Sequence, residues 1–168
     1  MHTEAMAWVA EHATDAPVAV LDLGGRNVNG SPRHLFPNAT TYRCLDIVAG
    51  AGVDIVADAG TWTPDAAYDV VLSTECFEHT ENWRDIVAVA FTALRPGGVF
   101  IATMAGPGRP LHSGITGEFW TQLPGEFYAN VQPAHLRDAL TATGFTDVRV
   151  SQKFAPCDVR SIARRPEE

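Results

Sequence analysis

Apolar and polar positions alternate along this chain in two rhythms. Residues 3–13 place Ala5, Met6, Val9, Ala10 and Ala13 at helical spacing, with Thr3 as a candidate cap. "VAVLDL" (18–23) is an unbroken apolar run closed by an acid, as expected of a strand buried on both faces. Shorter runs follow: "TTYRCLDI" (40–47), "GVDIVADA" (52–59), "YDVVLS" (68–73) and "VFIATMA" (99–105). Between the last two, residues 82–94 set Ile86, Val87, Ala90, Phe91 and Leu94 on one helical face, and "RPGG" is expected to stop that helix. Residues 133–145 form a further helix, with Pro at its first turn and Gly at its end. "TDVRVSQ" and "DVRSIARR" alternate as a closing antiparallel pair. Residues 106–132 show little periodicity and many Gly, Pro and aromatic residues.

Strands alternating with helices predict one open α/β sheet with a mostly parallel core. No repeat, low-complexity tract or long charge run divides the 168 residues, so a single domain spanning 1–168 is expected. Ligands of such sheets lie outside the carboxyl ends of the strands. Polar residues stand there: Asp22 on the first strand, Asp46 on the second, Asp58 on the third, and Ser73, Thr74 and Glu75 on the fourth. Gly24 and Gly25 follow Asp22 and open a loop, "GGRNVNG", where backbone must come close to something. Any one aspartate serves equally as a helix cap or a loop turn. Three at successive strand ends, with two glycines between, point to a nucleoside. Asp46 then suits ribose hydroxyls.

Composition removes several classes. The net charge is −8, with 12 Lys and Arg against 20 Asp and Glu, so no large nucleic-acid interface is expected. The three cysteines (Cys44, Cys76, Cys157) lie far apart, so no CxxC zinc site is expected, nor any other metal, and a reduced, cytoplasmic setting is the simplest reading. No run reaches the ~20 apolar residues of a membrane span, and the first seventeen residues lack a signal peptide's apolar core. A dinucleotide oxidoreductase would need GxGxxG opening a helix, and "GGRNVNG" is not that pattern.

Taken together, "VLDLGG", "CLDI", "IVADA", "YDVVLSTECFEHTENW" and "LRPGGVFIATM" resemble the class I S-adenosylmethionine-dependent methyltransferases, closest to the small-molecule type (methyltransferase-11-like) with a Glu-x-x-Glu-His pattern, here Glu75 to His79. The resemblance covers residues 16–105 motif by motif, and the remainder more loosely. It implies a Rossmann-like sheet with an antiparallel last strand and S-adenosylmethionine as cofactor. Asp22 and the Gly24–Gly25 backbone would approach the methionine part, and Asp46, with Ile47 beside it, the ribose and its surroundings. Asp58 and the Ala59 amide would meet the adenine. Ser73 and Thr74 would lie below the methyl group, with Glu75 at the rim. The family's usual third glycine is replaced by Arg26, which could meet the cofactor carboxylate, stand in the loop, or pair with Asp22. The second helix is almost absent, with "VAGAG" alone between the second and third strands.

Methyl transfer from a sulfonium rests mainly on positioning, and a general base is optional. His79 and His112 are the candidates for that role; capping or packing competes for His79. The segment 106–132 leaves the fifth strand at its carboxyl end and is expected to cover the substrate, with His112, Trp120, Phe127 and Tyr128 as walls. Trp62 could lie over the adenine or simply in the core. No Asp/Asn-Pro-Pro-Tyr/Phe tetrad and no Pro-Cys pair follow the fourth strand, where "STEC" stands. The acceptor class left is a small molecule, a sugar or nucleotide precursor, or an exposed group on a partner. A non-catalytic binding module or subunit on the same fold is the competing reading.

Overall fold

The computed structural model describes residues Met1–Glu168. Seven strands form one sheet in the order β3-β2-β1-β4-β5-β7-β6. They are β1 (Ala19–Leu23), β2 (Thr41–Asp46), β3 (Ile55–Val56), β4 (Tyr68–Thr74), β5 (Leu94–Ala105), β6 (Thr146–Lys153) and β7 (Asp158–Arg164). The first five pair parallel, whereas β7 runs antiparallel between β5 and β6. The helices are α1 (Thr3–His12), α2 (Trp83–Ala93) and α3 (Pro133–Thr143). No helix is long and apolar enough to cross a membrane.

The period-2 pleat sorts the strand residues into two cores. Leu21, Leu23, Val71, Phe100, Ala102 and Met104 pack with α2 and α3, through Ile86, Val87, Ala90, Leu136 and Leu140. Val20, Val70, Leu72 and Ile101 face the other way, against Val9 of α1 and Phe36. Two buried faces explain why β1 reads as a continuous apolar run. Gly144 ends α3 in the left-handed conformation, φ 106°.

Three local expectations change. The strand predicted over 52–59 shrinks to two ladder residues, because Asp54 bonds back to β2: its carboxylate accepts the Cys44 N–H at 2.8 Å. "RPGG" does not separate helix from strand; α2 ends at Ala93 and β5 begins at Leu94, paired with Tyr68. Thr3 is the first residue of α1 rather than its cap, and His2 before it makes no side-chain capping bond. The glycine loop leads into a single 3-10 turn, Pro32–Leu35, capped by Ser31. The segment 106–132 holds no regular element beyond a bridge between His112 and Phe119.

Candidate active site

The carboxyl ends of β1, β2 and β4 open on a cavity of about 500 Å³, and the segment after β5 forms its far wall. Gly24 sits at φ 73°, and the Gly24 and Gly25 N–H groups both donate to the Leu45 carbonyl, at 2.7 and 3.3 Å. A Cβ on Gly24 would run into the Cys76 side chain, and one on Gly25 into the Asp22 carboxyl. The close approach that demands these glycines is therefore made by the protein's own side chains.

Asp46 receives two backbone N–H groups, Arg26 at 3.1 Å and Val48 at 2.9 Å, and still lines the cavity. Asp58 also lines it, accepting the Gly60 N–H at 2.8 Å and the Asn82 amide at 3.3 Å. Arg26 lies 3.9 Å from Asp46 and donates to the Gly114 carbonyl at 3.2 Å, so it ties the glycine loop to the opposite wall.

At the end of β4 the chain bends sharply, with Glu75 at φ 53°. Its carboxylate accepts the Thr103 hydroxyl at 3.1 Å and lies 3.2 Å from His2 and 3.6 Å from Arg109. Arg109 bonds the fully buried Asp158 at 2.6 Å, which His2 also reaches at 3.2 Å. Burial alone would raise the Glu75 pKa, but bonding to His2 and the Arg109 charge bring it below its ordinary value. Burial lowers His2, yet Asp158 and Glu75 outweigh it and push the imidazole up to about 10. Two acids and two cations thus neutralise one another at the cavity floor.

The covering segment presents a different surface. The His79 and His112 rings stand perpendicular with centroids 4.9 Å apart, and Tyr128 packs edge-on to both. His112 Nδ1 and the Tyr128 hydroxyl share the Pro110 carbonyl, at 3.1 and 3.0 Å. Burial, reinforced by His112, lowers the His79 pKa to about 4; burial lowers His112 too. Both rings are neutral near pH 7. Gly114 packs so closely that an added Cβ would stand 2.9 Å from the His79 ring. Glu126 fastens the segment to itself, accepting the Ser113 hydroxyl and the Ile115 and Leu123 N–H groups.

Of the residues singled out in the sequence, Gly24, Gly25, Asp46, Ile47, Asp58, Ala59, Thr74, Glu75, His79, His112 and Phe127 line the cavity. Five other candidates do not. Asp22 shares the pleat direction of Val20, is fully buried, and accepts the Tyr42 hydroxyl at 2.8 Å; burial raises its pKa to about 6. Ser73 turns inward to the Leu23 carbonyl at 2.9 Å. Trp120, at φ 61°, is 78% exposed because the turn throws it outward. Tyr128 backs the two histidines rather than facing the cavity. Trp62 packs against the core. His2 and Arg109 line the cavity without any signal in the sequence, since their partners are brought in by the fold.

A family model described as a methyltransferase domain matches residues 1–150. No curated protein matches the sequence. Among solved structures, the chain is similar to 1,6-didemethyltoxoflavin-N1-methyltransferase of Burkholderia thailandensis, bound to 1,6-didemethyltoxoflavin and S-adenosylhomocysteine. That match has 18% identity and a TM-score of 0.70, covering 97% of this chain and 77% of the other. An S-adenosylmethionine-dependent methyltransferase from Mesorhizobium loti matches at 17% identity and TM-score 0.70, over 95% and 96% of the two chains. Phosphoethanolamine N-methyltransferase 2 of Haemonchus contortus, in complex with S-adenosylmethionine, matches at 16% identity and TM-score 0.72 over 97% of this chain, which spans 52% of the Haemonchus protein. At such identities the likeness is one of fold, and the sheet order agrees with it. With the family model matching residues 1–150, the chain belongs to the methyltransferase-domain family.

Proposed function

We propose that this chain transfers a methyl group from S-adenosylmethionine to a small-molecule acceptor. The observation that carries the reading is one cavity lined both by the strand-end acids Asp46 and Asp58 and by His79 and His112, where the turn after β4 meets the covering segment. A volume of about 500 Å³ lies within the ~300–1,000 Å³ typical of small-molecule sites. The donor set fits the cofactor. Each Asp46 oxygen keeps a lone pair beyond its backbone bond, which suits a ribose diol. Asp58, the Ala59 amide and the exposed face of Ile47 suit an adenine edge and ring. The Gly24–Gly25 backbone faces the methionine part, with Thr74 and Glu75 toward the reacting end. Asp22 and Ser73 serve instead by holding the glycine turn and the β1–β4 junction.

When bound, the cofactor supplies an activated methyl group on a sulfonium. The chain's own work is to hold the acceptor in line and to exclude water, for which the segment 106–132 is placed. Where the acceptor carries a proton, His112 or His79 has a free lone pair to take it, an effect worth ~100-fold or more. Two of the neighbours, the 1,6-didemethyltoxoflavin-N1- and phosphoethanolamine N-methyltransferases, are named for small nitrogen-containing acceptors, which supports a small acceptor here. Calorimetric titration with S-adenosylmethionine and its demethylated product tests the reading directly. Binding of both is expected. Failure to bind either would favour the non-catalytic module.

A further inference from the structure

Glu78, His79 and His112 meet where the turn after β4 touches the covering segment, and one donor atom from each lies within 4.8 Å of the others. Glu78 is 0% exposed. Its Oε1 accepts the Ala105 N–H at 3.1 Å and lies 4.0 Å from His112 Nε2, while Oε2 has no partner. His79 Nδ1 is also buried without a partner. Buried polar atoms are nearly always satisfied, so two orphans in one cluster ask for an explanation. His112 supplies a further clue. Its Nδ1 lies 3.1 Å from the Pro110 carbonyl, which can only accept, so Nδ1 carries the proton and Nε2 presents its lone pair toward Glu78. Metal-binding histidines are oriented in this way, one ring N–H given to a carbonyl and the other nitrogen left as ligand. Arg109 makes no ion pair with Glu78, being engaged by Asp158 at 2.6 Å and Glu75 at 3.6 Å.

We propose that Glu78, His79 and His112 form a site for one divalent transition-metal ion, zinc being the ion that two imidazoles and a carboxylate suit. Magnesium and calcium prefer all-oxygen sets. Zinc–ligand bonds of ~2.0–2.2 Å place tetrahedral donors roughly 3.3 Å apart. His112 must therefore close on Glu78 by roughly 1 Å, a small movement of the covering segment. Both histidines line the cavity, so the remaining coordination position faces the space assigned to the acceptor. With the imidazole lone pairs given to the ion rather than free to act as a base, the ion would hold an acceptor oxygen or sulfur by one lone pair, favour loss of its proton, and leave another lone pair for the methyl group. The cysteine-based reading of the sequence misses such a set because none of its ligands is a thiol.

The test needs neither cofactor nor acceptor. The chain is stripped with a chelator and titrated with cobalt(II), whose visible ligand-field bands report donors directly, and then with zinc. One cobalt per chain is expected, displaced by zinc. The bands should vanish in His112→Ala, and affinity should fall roughly tenfold or more in Glu78→Gln. His2→Ala should leave them unchanged, although His2 belongs to the other histidine–carboxylate group with Glu75 and Asp158. If His112→Ala loses its cooperative thermal transition, His79→Asn must reproduce the loss in a folded chain. No bands, or bands that survive both histidine substitutions, would overturn the proposal. Cofactor titration on the same preparation separates this outcome from a failure of the methyltransferase reading.

Discussion

Asp46→Asn removes a charge from the cavity at constant shape, and its effect on cofactor affinity can be worked out from the bonds already made. Both carboxylate oxygens accept a backbone N–H, from Arg26 at 3.1 Å and Val48 at 2.9 Å. Each oxygen retains one lone pair, enough for the two hydroxyls of a ribose. Asparagine keeps one acceptor oxygen and replaces the other with a donor, so one hydroxyl loses its partner. A hydrogen bond to a charged group is worth ~1.5–3 kcal/mol. At ~1.4 kcal/mol per tenfold, affinity should fall roughly 10- to 150-fold. Calorimetric titration with S-adenosylmethionine and S-adenosylhomocysteine reads this, with thermal unfolding of the free protein run alongside. The second measurement matters because the substitution also costs the loop one of its two pins. An unchanged dissociation constant in a folded variant would refute the ribose assignment. A weaker affinity fully accounted for by lost stability would reduce Asp46 to a loop residue.

Three further outcomes follow from the same geometry. His112→Ala should lower single-turnover methyl transfer more than cofactor affinity, once an acceptor is found; equal losses would make its role structural. Gly24→Ala should destabilise the fold in urea by at least the ~1–2 kcal/mol of left-handed backbone, plus the overlap with Cys76. Adding Cys76→Ala should recover only the overlap part, and a double variant no better than the single one would show that Cys76 is not the obstacle. Asp22 is ordinarily half-protonated at 3.8 and is raised to about 6 in the fold, so the folded state holds its proton more tightly. That contribution to stability is complete below pH 3.8 and is lost as pH rises through 6. Relative to wild type, Asp22→Asn should therefore gain about 3 kcal/mol between the acid end of this window and pH 7. A pH-independent difference in chemical denaturation would contradict the burial argument.

Much of the frame was legible because it depends on local pattern. Continuous apolar runs mark strands covered on both faces, and β1, β4 and β5 carry them because α1 lies on one side and α2 with α3 on the other. The acids at strand ends could be located for the same reason: an unpaired carboxylate is tolerated there and not within the sheet. The third strand was over-read where apolar alternation continues through Asp54, whose carboxylate turns back to bond β2. What alternation cannot supply is a neighbour. At the edge of the sheet, with no second helix above it, β3 has only two residues to pair.

Side-chain direction was harder to read than side-chain position, and the two ends of the cleft show why. Asp22 stands where a ligand-binding acid would stand, but the pleat gives it the direction of Val20, into the face shared with α1. Pleat parity was available in the sequence and was the signal to use. Trp120 and Tyr128 offered no such rule, because an irregular segment takes its directions from distant partners. Glu126 gathers Ser113, Ile115 and Leu123, and Arg26 reaches across from the glycine loop to Gly114. Those bonds set which way each ring points: His112 and Phe119 toward the cavity, Tyr128 behind the histidines, Trp120 into solvent. The same cross-link gives Arg26 a role no glycine could fill. A third glycine in its place would leave the loop and the covering segment joined by the packing of Val28 and Asn29 at Gly117, without this hydrogen bond. Arginine adds the bond beforehand, so that cofactor-side and acceptor-side walls meet a ligand as one surface.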